Sequence, residues 1–139
     1  MIQINFMKIK KNKIKSFSNS TGKLIPFTFD KKFPIKNKRI FFLFGKKGKV
    51  RGEHAHKKCS QYLFLLSGSV EINAINKHQK RRIIINSKKR EGFLIKPKTW
   101  LKIKFLKKNS ILMVICDMNY KFSDYIEDFK EFKKIIGLK

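Results

Sequence analysis

Short apolar runs separated by polar stretches dominate the hydrophobic pattern of this chain. The run 100–105 (WLKIKF) alternates apolar and polar residues, as expected of a strand with one buried face. The other runs are rich in branched and aromatic residues and are bounded by Lys, Asn, Gly or Pro; they span 39–44 (RIFFLF), 61–75 (QYLFLLSGSVEINAI), 81–86 (RRIIIN), 92–97 (GFLIKP) and 110–117 (SILMVICD). Many short strands at this spacing predict an all-β sandwich or barrel.

The two ends of the chain follow other patterns. The stretch 8–23 is polar and predicts a loop, and a short strand is predicted around 24–29. From Asp124 onward apolar residues recur at helical spacing, and Asp124 and Glu127 fit the N-cap and N3 positions of a capping box. An amphipathic helix is therefore predicted over about 124–138. The length of 139 residues predicts one domain, with its core over about 20–122.

The formal net charge of +26 changes the picture only in part. A basic surface favours nucleic acid, because neutralised phosphates release counterions. The excess is nearly all Lys and accompanies abundant Ile, Asn and Phe, a composition that also follows from AT-rich coding. Nucleic-acid binding therefore stays an alternative function, and charge gathered on one face beside aromatic residues would favour it. In either case the positive field should attract a phosphate-bearing substrate.

Cysteine usage and hydropathy bear on the compartment. Cys59 and Cys116 lie far apart in sequence and form no CxxC motif, which favours a reduced cytoplasmic protein. No apolar run approaches the length of about 20 residues that a membrane-crossing helix needs. The sequence predicts no membrane association.

The segment 48–68 (GKVRGEHAHKKCSQYLFLLSG) carries the candidate chemistry. Residues at i and i+2 of a strand project to the same face, so His54 and His56 are expected to point together into the barrel. Arg51 and Gln61 flank the pair. A single histidine is more often a hydrogen-bonded core residue, whereas a paired HxH beside charged and amide groups favours a functional site.

The same segment resembles the first motif of the cupin superfamily. Gly48, His54, His56, position 61 and Gly68 stand at the motif's spacing, but position 61 is Gln61 where metal-binding cupins have Glu. The stretch 92–105 resembles the second motif and contains no histidine. Too few strong ligands remain for a catalytic metal, which usually has three protein ligands. We therefore predict a site without metal or other cofactor, and the third histidine, His78, is expected to be exposed in a hairpin.

A closer resemblance is to the nucleotide-sugar 3,4-ketoisomerases, the WxcM-like cupins that act on dTDP-4-keto-6-deoxyglucose. It starts from 51–61 (RGEHAHKKCSQ), followed by 65–72 (LLSGSVEI). Further matching segments come in the family's order, at 21–27 (TGKLIPF), 38–44 (KRIFFLF), 96–100 (KPKTW) and 124–132 (DYIEDFKEF). The resemblance implies an RmlC-like jelly-roll barrel with a C-terminal helix. It also implies an isomerase of deoxysugar and polysaccharide biosynthesis that converts a dTDP-linked 4-keto-6-deoxyhexose to its 3-keto isomer.

The resemblance also implies roles for individual residues. His54 would be the base that removes the C3 proton, with Arg51 bound to a sugar oxygen or to the pyrophosphate. His56 would donate to, or shuttle a proton between, the substrate oxygens. Gln61 would orient an imidazole or the sugar, and Arg39 would contact the diphosphate through its planar fork.

Two departures and two alternatives accompany this interpretation. Phe41 stands where the ketoisomerases tend to have an active-site Tyr, and Leu101 follows Trp100 where a polar residue is common. A related cupin epimerase or a non-catalytic sugar-nucleotide binder is the alternative within the superfamily.

A homodimer is expected, because the segment 1–9 alternates well enough to add a strand to the sheet of a second copy.

Overall fold

The computed structural model describes residues 9–138 as a β-barrel with a helix packed against one side. Most strands between residues 39 and 116 follow the hydrophobic runs of the sequence. The strands are β1 (Lys10–Lys13), β2 (Phe17–Asn19), β3 (Gly22–Leu24), β4 (Arg39–Gly45), β5 (Val50–His56), β6 (Gln61–Ser67), β7 (Ser69–Ile75), β8 (Lys80–Asn86), β9 (Glu91–Ile95), β10 (Trp100–Phe105), β11 (Ser110–Cys116) and β12 (Tyr125–Ile126); the α-helix is α1 (Phe129–Ile136), and 3₁₀ turns lie at Ser87–Lys89 and Phe122–Asp124.

The strands form two five-stranded antiparallel sheets that face each other. One sheet has the order β1-β9-β6-β11-β4, the other has the order β12-β5-β10-β7-β8, and β2 and β3 pair as a separate hairpin. Alternate side chains of both sheets point inward and form the main core, which includes Leu63, Leu65, Val70, Ile72, Phe105, Leu112 and Val114. The predicted all-β cupin barrel with a C-terminal helix is confirmed.

The N-terminal third covers the outside of the first sheet. Its residues Ile14, Ile25, Phe27, Phe33 and Ile35 pack on an apolar outer face made by β6, β9 and β11. The predicted loop over 8–23 is wrong in part, because β1 pairs with β9 and β2 pairs with β3. The predicted strand around 24–29 is also wrong, since β3 ends at Leu24.

The C-terminal helix begins later than predicted. Asp124 lies in a 3₁₀ turn, and the N-cap of α1 is Asp128, whose carboxylate accepts hydrogen bonds from the backbone N–H groups of Lys130 and Glu131. The sequence contains two candidate capping boxes, DYIE and DFKE, and the second one is used. Gly137 ends the helix in the left-handed conformation. Within 9–138 no helix is long and apolar enough to cross a membrane.

The helix packs on the second sheet and fixes the segment that leads to it. Phe132 and Ile136 are buried against Ala55 of β5 and Trp100 of β10. The Trp100 ring lies 5.1 Å from the ring of Phe129 and 5.5 Å from that of Phe132. Trp100 therefore belongs to the helix interface.

Candidate active site

A pocket of about 220 Å³ opens between the two sheets at the end of the barrel where the histidines lie. Both sheets contribute to its walls, and most of the lining side chains are apolar. The lining residues are Phe41, Leu43, Arg51, Gly52, His54, Gln61, Leu63, Leu101, Ile103, Val114 and Tyr125. Three of the residues selected from the sequence, Arg51, His54 and Gln61, therefore share one pocket.

A bulge in β5 directs His54 into this pocket. Leu101 pairs with His54 and Lys102 pairs with Gly52, so Glu53 is an extra residue in the ladder. Gly52 has φ 88° and Glu53 has φ 59°, both in the left-handed region. A Cβ at Gly52 would come within 2.9 Å of the Leu101 carbonyl oxygen, so only glycine fits. Such local strain is concentrated at functional sites in proteins.

The surroundings of His54 bind one ring nitrogen and favour the neutral imidazole. One ring nitrogen hydrogen-bonds to the backbone of Gly52, where the carbonyl is the available acceptor, and the other nitrogen then carries a lone pair. Burial lowers the pKa of His54 below its ordinary value of 6.5, although the Gly52 carbonyl and the Glu127 charge oppose this. A base in this state is ready to accept a proton near neutral pH.

His56 lies behind His54 and is bound to a buried carboxylate. The two rings stand edge to face with their centroids 5.2 Å apart, which confirms that both histidines point to one face of the strand. His56 Nδ1 is 3.0 Å from Asp124 Oδ2, and both side chains are more than nine-tenths buried. Burial lowers the pKa of His56 even though the Asp124 hydrogen bond raises it. Nε2 of His56 is buried and has no hydrogen-bond partner within residues 9–138.

Asp124 is fixed by the chain segment that follows the histidines. Its two carboxylate oxygens accept hydrogen bonds from the backbone N–H of Lys58 at 2.8 Å and of Cys59 at 3.3 Å. These bonds keep the carboxylate oriented toward His56. An oriented His–Asp pair selects the tautomer with Nδ1–H and leaves Nε2 as an acceptor.

Tyr125 brings a phenol to the site. Its ring centroid is 4.4 Å from that of His56 and 5.1 Å from that of His54, and it lines the pocket. Its side chain also hydrogen-bonds to Arg39. Phe41 lines the opposite part of the pocket and has no hydroxyl. The phenol that is absent from position 41 is thus present at position 125, on a different strand.

The two arginines occupy different surroundings. Arg51 is exposed at the rim of the pocket. Arg39 is half-buried, and its guanidinium carbon lies 5.1 Å from the Phe41 ring centroid and 5.3 Å from that of Tyr120. Nε of Arg39 is buried with no hydrogen-bond partner among the described residues. Arg39 is not itself a lining residue, although its neighbours Phe41 and Tyr125 are.

Gln61 and two cysteines form the remaining polar group. Gln61 Nε2 donates to Cys116 Sγ at 3.7 Å, and Arg39 Nη2 donates to the same sulfur at 3.8 Å. The Cys59 and Cys116 thiols, far apart in sequence, hydrogen-bond to each other inside the barrel. His78, in contrast, is exposed in the turn between β7 and β8, as predicted.

The side chains at this site do not match the set of metal ligands used by metal-binding cupins. Gln61 turns its amide nitrogen to a sulfur, and Nδ1 of His56 is taken by Asp124. Within 9–138, three residues could each offer one ligand atom inside a radius of 4.8 Å, namely His56, Cys59 and Asp124. That group excludes His54 and already forms hydrogen bonds among its own members. Metal independence stays a prediction, which elemental analysis of untagged protein checks.

Asp124 and Tyr125 are the site residues that sequence reasoning missed. Both were assigned to the predicted helix. A signal was present, because DFKE at 128–131 is a second capping box that frees the residues before it for another role. Their approach to the histidines depends on β12, a strand of two residues that pairs with the end of β5: Tyr125 with His56 and Ile126 with Ala55.

Comparison with known proteins agrees with this geometry over nearly the whole chain. The family described as "FdtA: WxcM-like, C-terminal" matches residues 7–137. TDP-4-oxo-6-deoxy-α-D-glucose-3,4-oxoisomerase of Aneurinibacillus thermoaerophilus is 31% identical over 130 residues, covering 91% of this chain and 93% of that protein.

Two solved structures show the same similarity in three dimensions. A 3,4-ketoisomerase from Helicobacter canadensis superimposes with a TM-score of 0.86 at 28% identity, covering 94% of this chain and 98% of that one. The sugar 3,4-ketoisomerase QdtA from Thermoanaerobacterium thermosaccharolyticum, in complex with TDP, gives 0.85 at 26% identity, covering 93% and 94%. The chain belongs to the FdtA, WxcM-like C-terminal family.

Proposed function

We propose that this protein is a sugar-nucleotide 3,4-ketoisomerase that converts a dTDP-linked 4-keto-6-deoxyhexose to its 3-keto isomer. The observation that carries the proposal is His54, a neutral imidazole with one free nitrogen at the wall of a pocket. The family supports the substrate class, since the Aneurinibacillus relative is named for TDP-4-oxo-6-deoxyglucose and the Thermoanaerobacterium enzyme was crystallised with TDP.

The first step of the reaction needs a base at C3. The hydrogen on C3 is made acidic by the neighbouring C4 carbonyl, and its removal leaves an enediolate that spans C3 and C4. His54 is the group in position to accept this proton, because its other nitrogen is bound to Gly52 and its ring faces the pocket. Its lowered pKa keeps it unprotonated at neutral pH.

In the second step protonated His54 gives a proton to C4, and the C3 hydroxyl loses its own. Tyr125 has a phenol that can donate to O4 and receive the proton from O3. Arg39 hydrogen-bonds to the Tyr125 side chain and holds the phenol in place. His56, oriented by Asp124, lies against the Tyr125 ring and provides the buried acceptor next to it. Tyr125 thus supplies the phenol hydroxyl that is absent from position 41.

The pocket is sized for one ring. Its volume of about 220 Å³ is below the range of roughly 300 to 1,000 Å³ typical of pockets that enclose a whole ligand. The hexose would occupy the pocket, and the diphosphate and thymidine would extend across its rim. Arg51 stands at that rim and Arg39 beside it, where guanidinium groups can pair with phosphate oxygens. Gln61 would orient the sugar from the opposite wall.

Direct assay tests the proposal. Purified protein is incubated with dTDP-4-keto-6-deoxyglucose, and the products are followed by NMR. The expected result is a 3-keto sugar with solvent hydrogen at C4. Inversion at C3 or C5 with the ketone still at C4 would instead identify an epimerase, and TDP binding without any exchange would identify a non-catalytic binder.

We also propose a homodimer. The segment 1–9, predicted to add a strand to a second copy, lies almost entirely outside the described residues. Support comes from β4, an edge strand whose outward side chains are unusually exposed: Ile40 at 39%, Phe42 at 48% and Phe44 at 75%. An apolar edge of this kind invites pairing. Light scattering at micromolar concentration is expected to give twice the chain mass, and a strict monomer would contradict the proposal.

A further inference from the structure

Two cysteines meet inside the barrel next to the groups proposed to bind substrate. Cys59 precedes β6 and Cys116 ends β11, and the two are 57 positions apart in sequence. The ladder pairs Cys116 with Gln61, so Cys59 and Gln61, two positions apart, present their side chains to the same face as Cys116. Both thiols are buried, at 5% and 0% exposure, and both are free.

The environment separates the two thiols electrostatically. Cys116 Sγ accepts hydrogen bonds from Cys59, from Gln61 Nε2 and from Arg39 Nη2, and these lower the pKa of Cys116 although burial opposes them. The contact with Cys116, together with burial and the charge of Asp117, raises the pKa of Cys59. Of the two thiols, Cys116 is therefore the one that ionises more readily. A lowered pKa is what makes a thiol the nucleophile in disulfide chemistry.

We infer that Cys59 and Cys116 form a reversible disulfide when the protein meets hydrogen peroxide, and that this bond withdraws Cys116 from Arg39 and Gln61. The bond is a modification site distinct from the proton chemistry of the histidines. Its formation does not depend on the function proposed above, whereas its effect on substrate binding rests on it.

The chemistry balances with peroxide as the only oxidant. The Cys116 thiolate attacks one peroxide oxygen, a sulfur–oxygen bond forms, the oxygen–oxygen bond breaks, and the departing hydroxide takes up a proton as water. The Cys59 thiol then gives up its proton and attacks the Cys116 sulfur. The sulfur–oxygen bond breaks and a second water leaves. Two thiols are oxidised by two electrons in total, and one peroxide is reduced to two waters.

Oxidation must rearrange the contacts of both sulfurs. A disulfide brings them to about 2.05 Å, much closer than a hydrogen bond between thiols. Cys116 then has no charge to offer Arg39 and Gln61, whose donors are now 3.8 Å and 3.7 Å from its sulfur. Cys59 also leaves the Ser60 carbonyl oxygen, 3.2 Å from its own sulfur. Two of the residues proposed to bind the nucleotide sugar thus lose a partner that positions them.

The experiment separates formation of the bond from its consequence. Full-length protein, reduced or treated with a small excess of hydrogen peroxide, is analysed by intact mass and by peptide mapping without reduction. We expect the oxidised protein to be lighter by two hydrogen atoms and to yield a Cys59–Cys116 cross-linked peptide. We expect its dissociation constant for TDP, measured by calorimetry, to rise about tenfold, the loss of one charge-assisted hydrogen bond. Dithiothreitol should reverse both changes.

Cys59→Ser is the matched control. It keeps Cys116 and a hydrogen-bond donor beside it, so the reduced variant should bind TDP as the wild type does. Peroxide should leave Cys116 as a sulfenic acid, trapped by dimedone, with no cross-link. Separate oxidation of the two cysteines in the wild type would overturn the inference, and so would a cross-link that leaves TDP affinity unchanged. If the reduced protein binds no TDP at all, the proposed function fails, while mass still reports on the disulfide.

Discussion

The two walls of the pocket use buried polar groups in opposite ways. The histidine wall consists of His54 and Tyr125, which line the pocket, with His56 and Asp124 behind them, and its members are acid–base groups in contact with one another. The sulfur wall consists of Gln61, which lines the pocket, with Arg39 and Cys116 behind it, and it is a set of donors around a single sulfur. The first wall can move protons, and the second can hold an anion in place.

The two walls also differ in the regularity of their strand pairing. The histidine wall contains the bulge at Glu53 and a partner strand of two residues, β12. In the sulfur wall, Arg39, Gln61 and Cys116 stand side by side at the regular end of two ladders, and the register shift between β11 and β6 lies at the other end, between Ile111 and Leu112. An irregular wall can aim individual side chains, whereas a regular one fixes spacing. The comparison predicts that substitutions in the histidine wall reduce turnover and those in the sulfur wall reduce binding.

The largest effect is expected for His54→Asn. Asparagine is polar and similar in size but cannot accept the C3 proton, so binding should persist while kcat falls about a hundredfold to ten-thousandfold. His56→Asn should be less severe, because its role is to support the proton return. Exchange of the substrate C3 hydrogen with deuterated solvent measures the step directly. His78→Asn, in an exposed turn, is the control and should leave exchange unchanged.

A folded His54→Asn protein with undiminished C3 exchange would require another base. His56 would then be the alternative, since its Nε2 is unpartnered within 9–138 and its Nδ1 is oriented by Asp124. With this outcome the histidine wall would still carry the proton transfer and the sulfur wall the binding. The roles given to His54 and His56 within the histidine wall would have to change.

The next effect in size concerns the phenol. Tyr125→Phe removes one hydroxyl and leaves the ring against His54 and His56, so kcat should fall about a hundredfold, the lower end of the range for a general acid. C3 exchange should persist, because the first step does not use this group. Tyr120→Phe is the matched control on the same segment and should change kcat little, since its ring is largely exposed. Equal losses in both variants would argue against a special role for Tyr125.

A smaller effect, confined to binding, is expected for Arg39→Lys. The variant keeps the charge but loses the planar fork that stacks between Phe41 and Tyr120. KM for the nucleotide sugar should rise about tenfold with kcat changed less than about threefold, the loss of one charge-assisted contact. Arg82→Lys is the control, because Arg82 is exposed and pairs with Glu71 at 2.9 Å far from the pocket. A fall in kcat at constant KM would place Arg39 in the proton chemistry instead.

The sequence was sufficient for the barrel because the barrel depends on local pattern. Alternation and branched residues set strands such as β4, β10 and β11, and burial of one face sets their register. The i, i+2 spacing of His54 and His56 carried over directly into two rings on one face. In each of these cases the information lies within a few neighbouring residues.

The remainder of the site depends on contacts between residues far apart in sequence. Asp124 is 68 positions from His56, and no spacing rule relates them. The helical period beyond Asp124 was real, but two capping boxes competed, and packing of Phe132 and Ile136 on the second sheet selects the later one. The contact between Cys59 and Cys116 likewise arises from the pairing of β6 with β11, which sequence spacing could not reveal.

The smallest expected effect is on the pH dependence of the histidine wall. His54 must be unprotonated to act as base, and burial places its pKa below the ordinary value of 6.5. Activity, as kcat/KM, should therefore hold through neutral pH and fall on the acid side only below about pH 6.5, as His54 of the free enzyme takes up a proton.

The Glu127 charge partly offsets the effect of burial on the pKa of His54, so changing this charge should change the pKa. Its negative charge raises the pKa of His54, so Glu127→Gln should lower this pKa further and move the acid limb to still lower pH. Added salt should weaken the influence of Glu127 in the wild type, because an exposed charge is screened. Glu131→Gln, on the exposed side of α1, is the control and should leave the limb in place. A limb that moves to higher pH in Glu127→Gln would mean that the titrating group is not His54.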